Sequence, residues 1–182
     1  MSRKRDYTQL NVTPFETGIR NFSTIAKYFL YYAPNINSCQ SIGKFEGQTA
    51  DKILETMFEK TNIKKQRFMK RISEKARSDF EFNTNIIDFE DSRVLCNKYN
   101  NETDLSALLR HIRNALAHGY IYIWRKKCED YILFVDFDSN RNSNKKPDKK
   151  PDKNKETAKI LVSISILETW KSILESEIAK GE

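Results

Sequence analysis

Residues 104–119 carry the clearest structural pattern of the 182-residue chain and read DLSALLRHIRNALAHG. Apolar residues recur there at the three- and four-residue spacing of one helix face. They are Leu105, Leu108, Leu109, Ile112 and Leu116. Thr103 or Asp104 can cap the start of this helix, and Gly119 is suited to end it. The pattern predicts an α-helix over Leu105–His118.

After this helix the apolar period changes from 3.6 to 2, which is typical of β-strands. Tyr120–Trp124 reads as one strand, Lys126–Asp130 as a turn and Tyr131–Asp138 as the hairpin partner. Lys159–Ser165 alternates as a third strand, and Leu167–Lys180 returns to a helical pattern. The sequence therefore predicts a small three-stranded antiparallel sheet before a last helix.

Three further helices are predicted upstream. The first follows Pro14, which suits the first turn of a helix, and the second runs from about Thr49 to Lys60. The third runs from about Ile63 to Phe80, and its many charges indicate a solvated surface, with an RNA-facing surface as the alternative. The expected fold class is mainly α: an up-and-down helical bundle with a small three-stranded antiparallel β insertion before the C-terminal helix.

Composition and charge fit a single domain over residues 1–182, with 38% hydrophobic residues and a net charge of +7. About six of these excess charges lie in residues 1–6 and 139–156, so the rest of the chain is nearly neutral. Residues 139–156 contain the repeat KKPDKKPDK and read as a disordered basic loop. Its candidate RNA-binding residues are Lys145, Lys146, Lys149 and Lys150. Net charge alone identifies no binding face.

Cysteine usage and hydropathy narrow the class of protein further. Cys39, Cys96 and Cys128 are dispersed, which fits neither a disulfide framework nor a zinc site, so we expect buried or half-buried free thiols. No run approaches the roughly 18 apolar residues of a membrane span, and the N-terminus lacks the apolar stretch of a signal peptide. We expect a cytoplasmic protein that does not cross a membrane.

Two groups of carboxylates invite a chemical interpretation. Asp88, Glu90 and Asp91 could ligate a hard cation, but no flanking spacing supports this, and loop acidity or helix capping is the alternative. Phe134, Asp136 and Asp138 share one face of a predicted strand, which we interpret as a polar exterior rather than as a carboxylate pair for acid–base chemistry. The sequence therefore predicts neither a metal site nor a cofactor.

The polar residues of the 105–118 helix are the strongest candidates for chemistry. Arg110, His111, Arg113, Asn114 and His118 all project outside the apolar sector at about 100° per residue. Histidine, with an unperturbed pKa of about 6.5, can take or give a proton near neutral pH, and a guanidinium binds phosphate in a two-point fork. These groups suit RNA strand cleavage without a metal.

The angular spacing sets a condition on that chemistry. Arg113 and His118 lie about 140° apart around the helix, so one chain positions them loosely. Two such helices across a two-fold axis would bring two arginines and two histidines into one cleft. Spacing alone favours a structural role for His118, with a hydrogen bond to a neighbouring helix.

The segment LRHIRNALAHG, residues 109–119, resembles the signature helix of the HEPN superfamily. The motif of that superfamily is Arg, a polar residue, three variable residues and His. Arg113, Asn114 and His118 fill these positions. The strand region that follows, before a last helix, is similar to that of the pEK499-p136-like HEPN proteins. The likeness covers residues 104–138 and 157–180, and it is one of architecture before residue 100.

This resemblance implies a dimeric helical bundle with metal-independent endoribonuclease activity, acting in toxin–antitoxin or phage-defence systems. Arg113 and His118 would be catalytic and Asn114 would assist, whereas Arg110 and His111 are candidate cleft residues outside the minimal motif. The implied partners are an RNA substrate, a second copy of the chain contacted through the motif helix, and an antitoxin protein. The alternative is a non-catalytic HEPN-like dimerisation module that binds RNA, a nucleotide or a protein.

Overall fold

The motif helix, α4, spans Asp104–His118 and packs against a β-sheet in the computed structural model. The structure describes residues 19, 21–80, 82, 91–126, 128–137 and 156–180. At the start of α4 the Thr103 hydroxyl accepts a hydrogen bond from the Ser106 N–H at 3.1 Å. Gly119 ends the helix with a φ of 69°, a left-handed conformation that glycine adopts without steric cost. The predicted helix and its two ends are confirmed.

The other described helices lie on both sides of α4 in the chain. They are α1 (Phe22–Lys27), α2 (Gly47–Lys60), α3 (Glu74–Asp79) and α5 (Ile164–Ala179). A wider π-helical turn, Tyr28–Tyr32, continues α1 directly. The helices predicted over 49–60 and 167–180 are confirmed, to within three residues at each end.

Five strands are described, and they form one mixed sheet. They are β1 (Lys65–Met69), β2 (Arg93–Asn97), β3 (Ile121–Lys126), β4 (Glu129–Phe137) and β5 (Glu156–Ser163). The order across the sheet is β1-β2-β5-β4-β3. The β1–β2 pair is parallel and the other three pairs are antiparallel. The predicted hairpin is therefore confirmed as β3–β4, and the predicted third strand as β5.

The predicted fold class is wrong. The chain forms an α/β fold around a five-stranded mixed sheet, not a mainly α bundle with a three-stranded insertion. The prediction missed β1 and β2, which extend the sheet on the far side of β5. The long third helix expected over 63–80 is replaced by β1 and the short helix α3.

The error has a physical cause in the packing of the 63–80 segment. Phe68, Ile72 and Ala76 lie four residues apart, which imitates a helix face. In the fold, however, Phe68 packs with the helix-covered side of the sheet, while Ile72 and Ala76 pack on the opposite side. Strand β2 gave no alternating signal because Arg93 through Cys96 are all buried, as expected of a strand covered on both faces.

The sheet separates two apolar clusters. The larger lies between the sheet and helices α1, α2, α4 and α5, and includes Trp170, which is fully buried. The smaller lies on the other face, where α3 and its flanks cover Leu95 and Leu161. Alternate strand residues therefore face the helices, and strands β2, β4 and β5 contact α4 itself.

Several predictions fall on residues that the structure does not describe. The start of the first helix near Pro14 and residues 139–155 of the predicted basic loop lie outside the described residues, whereas Glu156 begins β5. Asp88 and Glu90 also lie outside them, so the acidic segment is described only from Asp91. Within the described part, no helix is long and apolar enough to span a bilayer.

Candidate functional site

His111 lies inside the protein. Its side chain is fully buried, Nδ1 lies 2.7 Å from Asp136 Oδ2, and Nε2 lies 2.8 Å from the carbonyl oxygen of Asn97. The imidazole thus joins α4 to the ends of β2 and β4. His111 was expected to be a cleft residue, but its ring is buried between Asp136 of β4 and Asn97 of β2, a strand that the sequence did not predict.

Arg110 is held by a carboxylate just before α4. Its Nε and Nη2 donate to Glu102 Oε1 and Oε2 at 2.6 and 2.8 Å, and its guanidinium lies over the Tyr99 ring at 4.4 Å. Burial alone would raise the pKa of Glu102, but hydrogen bonds from Arg110 and from the Tyr99 N–H lower it below its ordinary value. Arg110 therefore serves as a structural ion-pair partner in this fold, and its charge is compensated.

The predicted exterior position of Asp136 is wrong. This residue was assigned to a polar exterior, yet it is 3% exposed and faces α4. Oδ1 accepts the Phe137 N–H at 2.9 Å, beside a register shift between β4 and β5 at this point. Such bulges redirect side chains next to functional sites. A signal was present, since Asp136 alternates with the buried Ile132 and Phe134 on one strand face.

Asn114 connects this buried carboxylate to Arg113. Its Nδ2 donates to Asp136 Oδ2 at 3.2 Å, and its Oδ1 accepts from Arg113 Nη1 at 3.4 Å. The Nε of Arg113 is buried and lacks a hydrogen-bond partner. Among the described residues, no carboxylate pairs with Arg113. Its positive charge is therefore uncompensated within this part of the chain.

His118 occupies the last residue of α4 and is exposed. Its ring lies 6.2 Å from that of Tyr120, and the Tyr120 ring meets Phe137 edge-on at 4.9 Å. No hydrogen bond joins its imidazole to any other residue within the described ranges. Ala117 and His118 are the exposed residues of α4, whereas Arg113 and Asn114, in the turn before them, are half-buried.

The four candidate residues of α4 that can carry a positive charge separate into two groups. His111 pairs with Asp136 and Arg110 pairs with Glu102. Among the described residues, no carboxylate pairs with Arg113 or His118. Two surface depressions border α2 and β1, and neither is lined by any of the five candidate residues of α4.

No cluster of three or more metal-ligating side chains occurs within the described residues. The three cysteines are free, as predicted, but only Cys96 is buried, whereas Cys39 and Cys128 are exposed. The expectation of buried or half-buried thiols is therefore wrong at two positions. The four lysines at 145, 146, 149 and 150 lie outside the described residues.

A family model described as HEPN pEK499 p136 matches residues 45–175. The chain belongs to this HEPN family. The match extends from the residues just before α2 into α5, so it includes all five strands and the complete motif helix. The HEPN assignment therefore rests on most of the chain as well as on the six-residue motif. No curated protein and no solved structure matches the chain.

Proposed function

We propose that this HEPN protein is a metal-independent endoribonuclease in which Arg113, Asn114 and His118 carry the reaction. The family match spans these three residues, and they fill the Arg, polar and His positions of the superfamily motif. By the resemblance to the HEPN superfamily, inactive members often lack the Arg or the His of the motif, and this chain keeps both. Membership of the family supports a HEPN-type function, and the ribonuclease activity of this chain is the proposal.

One observation carries the proposal. Of the four arginine and histidine side chains of α4, two are paired with carboxylates within the fold and two are not. The two with no counter-ion among the described residues are Arg113 and His118, which are the motif residues. A half-buried guanidinium without a counter-ion is suited to bind a phosphate, and an exposed imidazole is suited to exchange protons with the RNA.

The reaction follows from these groups. An imidazole takes the proton of a ribose 2′-hydroxyl as its oxygen attacks the neighbouring phosphorus. The bond from phosphorus to O2′ forms while the bond to O5′ breaks, and an imidazolium protonates the leaving O5′. The products are a 2′,3′-cyclic phosphate and a 5′-hydroxyl. Arg113 stabilises the charge of the phosphorane, and Asn114 orients Arg113.

A homodimer supplies the second set of groups in this proposal. Arg113 and His118 are five residues apart, which separates them by about 7.5 Å along the helix axis and about 140° around it. A two-fold contact through the exposed turn at Ala117 and His118 brings both pairs together, one imidazole acting as base and the other as acid. The proposed dimer contact is centred on the end of α4, where the exposed residues of the helix lie.

Two further parts of the proposal concern the biological role and the contacts with RNA outside α4. A role as a toxin or phage-defence effector, with an antitoxin protein as a partner, follows from the HEPN resemblance. Lys145, Lys146, Lys149 and Lys150 are proposed to add general RNA affinity, because lysines that neutralise phosphates bind independently of base sequence.

The test is cleavage of RNA in EDTA by the wild-type protein, His118→Ala and Arg113→Ala. We expect cleavage with a cyclic phosphate product in the wild type and a loss of at least a hundredfold in either variant. Arg125→Ala is the matched control, because Arg125 is an exposed arginine paired with Asp130 on the β3–β4 hairpin. Activity that survives His118→Ala, or that disappears with EDTA, contradicts the mechanism. Salt-dependent RNA binding without turnover, unchanged by His118→Ala, would instead identify a non-catalytic binding module.

A further inference from the structure

Asp136 receives donors from three directions although it is nearly inaccessible to solvent. The Phe137 N–H donates to Oδ1, and Asn114 Nδ2 and His111 Nδ1 both lie against Oδ2. A carboxylate buried on the helix-facing side of a sheet is costly unless its oxygens are fully used. The hydrogen bonds of Asp136 orient the Asn114 amide, and its contact with His111 sets the net charge next to Arg113.

The two contacts of His111 determine how many protons the pair holds. Nε2 faces the Asn97 carbonyl oxygen, which only accepts, so Nε2 carries a proton. Nδ1 faces a carboxylate oxygen at 2.7 Å, and two lone pairs at that distance would repel, so a second proton lies between these atoms. The His111–Asp136 pair therefore has zero net charge, whether the second proton is bound to His111 Nδ1 or to Asp136 Oδ2.

Neutrality matters because of what lies next to the pair. Asn114 alone separates Asp136 from the guanidinium of Arg113. An uncompensated carboxylate there would offset the charge of Arg113 and repel a phosphodiester. With His111 neutralising it, Asp136 keeps its hydrogen-bonding capacity without opposing an incoming anion.

The network also fixes the direction of the Asn114 amide. Its NH₂ group must point to Asp136 Oδ2, so its carbonyl oxygen points to Arg113 Nη1. We infer that Asp136, neutralised by His111, is a positioning residue that acts through Asn114 to orient Arg113 toward the RNA phosphate. The inference rests on the proposed nuclease function for its kinetic consequence, but the hydrogen-bond network can be tested without it.

Asp136→Asn isolates the contact with Asn114. If the new amide group takes the place of Oδ2, it can donate to Nδ1 of a neutral His111, but it then opposes the NH₂ of Asn114. We expect the variant to fold and kcat to fall tenfold or more, with KM changed less than threefold. Asp130→Asn, the same change at a carboxylate of the same strand that pairs with Arg125, is the control and should retain wild-type kcat.

Two combinations distinguish positioning from a merely structural role. In an Asn114→Ala background, Asp136→Asn should cause little further loss, because the two residues act as a unit. Exchanging the two groups, by Asn114→Asp together with Asp136→Asn, restores a donor facing an acceptor but places an uncompensated carboxylate against Arg113. This exchange should therefore recover stability without recovering kcat, and a full recovery of kcat would contradict the role assigned to the free charge of Arg113. Wild-type kcat in Asp136→Asn, or a loss that adds in full to that of Asn114→Ala, overturns the inference.

If the wild-type protein does not cleave RNA, or if the variants do not fold, NMR of the wild-type protein tests the hydrogen-bond network directly. By NMR, the Asn114 side-chain amide protons should exchange slowly, and the nitrogens of the His111 ring should show a protonated Nε2 and a hydrogen-bonded Nδ1. Asn114 protons that exchange as fast as those of an exposed asparagine overturn the inference. An inactive wild type with the expected spectrum rejects the nuclease proposal and retains the network.

Discussion

Arg110 and Glu102 form a two-point ion pair, with Nε to Oε1 at 2.6 Å and Nη2 to Oε2 at 2.8 Å. The parallel geometry is that of the strongest arginine–carboxylate contacts. The pair fastens the segment before α4 to the outer surface of the helix, beside the ring of Tyr99. It also explains why Arg110, although next to His111 in the motif helix, does not contribute a free charge.

Breaking this pair should reduce stability in a pH-dependent way. Glu102→Gln is expected to lower the free energy of unfolding by about 1–2 kcal/mol at pH 7. The pKa of Glu102 lies below its ordinary value in the fold, so its contribution is complete above about pH 4.3 and is lost as the pH falls through the folded pKa. Urea denaturation of wild type and variant at pH 7 and pH 3 measures this. The two stabilities should converge at the lower pH, and a constant difference would contradict the assignment.

Gly119 ends α4 in a left-handed conformation, with a φ of 69°. An added Cβ would meet no heavy atom within 4 Å, so substitution there is penalised by backbone conformation alone. Gly119→Ala should lower the free energy of unfolding by about 1–2 kcal/mol, and Gly119→Asn by less, because asparagine tolerates this region. Thermal or urea denaturation tests the order. Equal losses for both variants would mean that side-chain packing, not backbone conformation, dominates.

The cysteines should differ in reactivity. Cys39 and Cys128 are exposed, whereas Cys96 is fully buried in β2, and burial raises the pKa of its thiol well above the ordinary value. A thiol reagent should modify two cysteines rapidly in the native protein and the third only on unfolding. Cys39→Ser and Cys128→Ser should each remove one rapid equivalent. Rapid reaction of three thiols in native protein would contradict the burial of β2.

The four lysines proposed to bind RNA can be separated from the cleavage chemistry. Replacing Lys145, Lys146, Lys149 and Lys150 with serine should weaken RNA binding at low salt and flatten its salt dependence. The rate at saturating RNA should stay within about threefold of wild type, because those lysines are assigned no chemical step. Fluorescence titrations at several salt concentrations and single-turnover cleavage measure the two effects. A lost rate with unchanged affinity would contradict this division of roles.

Short-range patterns accounted for much of the fold. The α4 helix, its threonine cap and terminal glycine, the β3–β4 hairpin and the strand β5 all follow from signals within about fifteen residues. Strands β1 and β2 did not. Strand β2 is buried on both faces and shows no alternation, and Phe68 of β1 forms a helix-like spacing with Ile72 and Ala76, which lie beyond the strand. The identity of both strands depends on parallel pairing between segments about thirty residues apart.

For the candidate site, the sequence singled out the five polar residues of α4 but could not rank their availability. It placed Asp136 on an exterior face, although the alternation with Ile132 and Phe134 was readable. The sequence does not show that this face of β4 packs against α4, because that contact forms only in the folded protein. A carboxylate on a strand becomes a partner for a helix histidine only when the sheet is assembled.

The sequence by itself determined the motif helix, its ends and the spacing of Arg113, Asn114 and His118, because helix period and capping are local effects. Only the tertiary structure decided which polar groups of that helix stay open. Glu102 reaches Arg110 from eight residues away, and Asp136 reaches His111 from twenty-five residues away across the sheet. Arg113 and His118 face no such carboxylate among the described residues, and this difference in counter-ions separates the proposed catalytic pair from its neighbours.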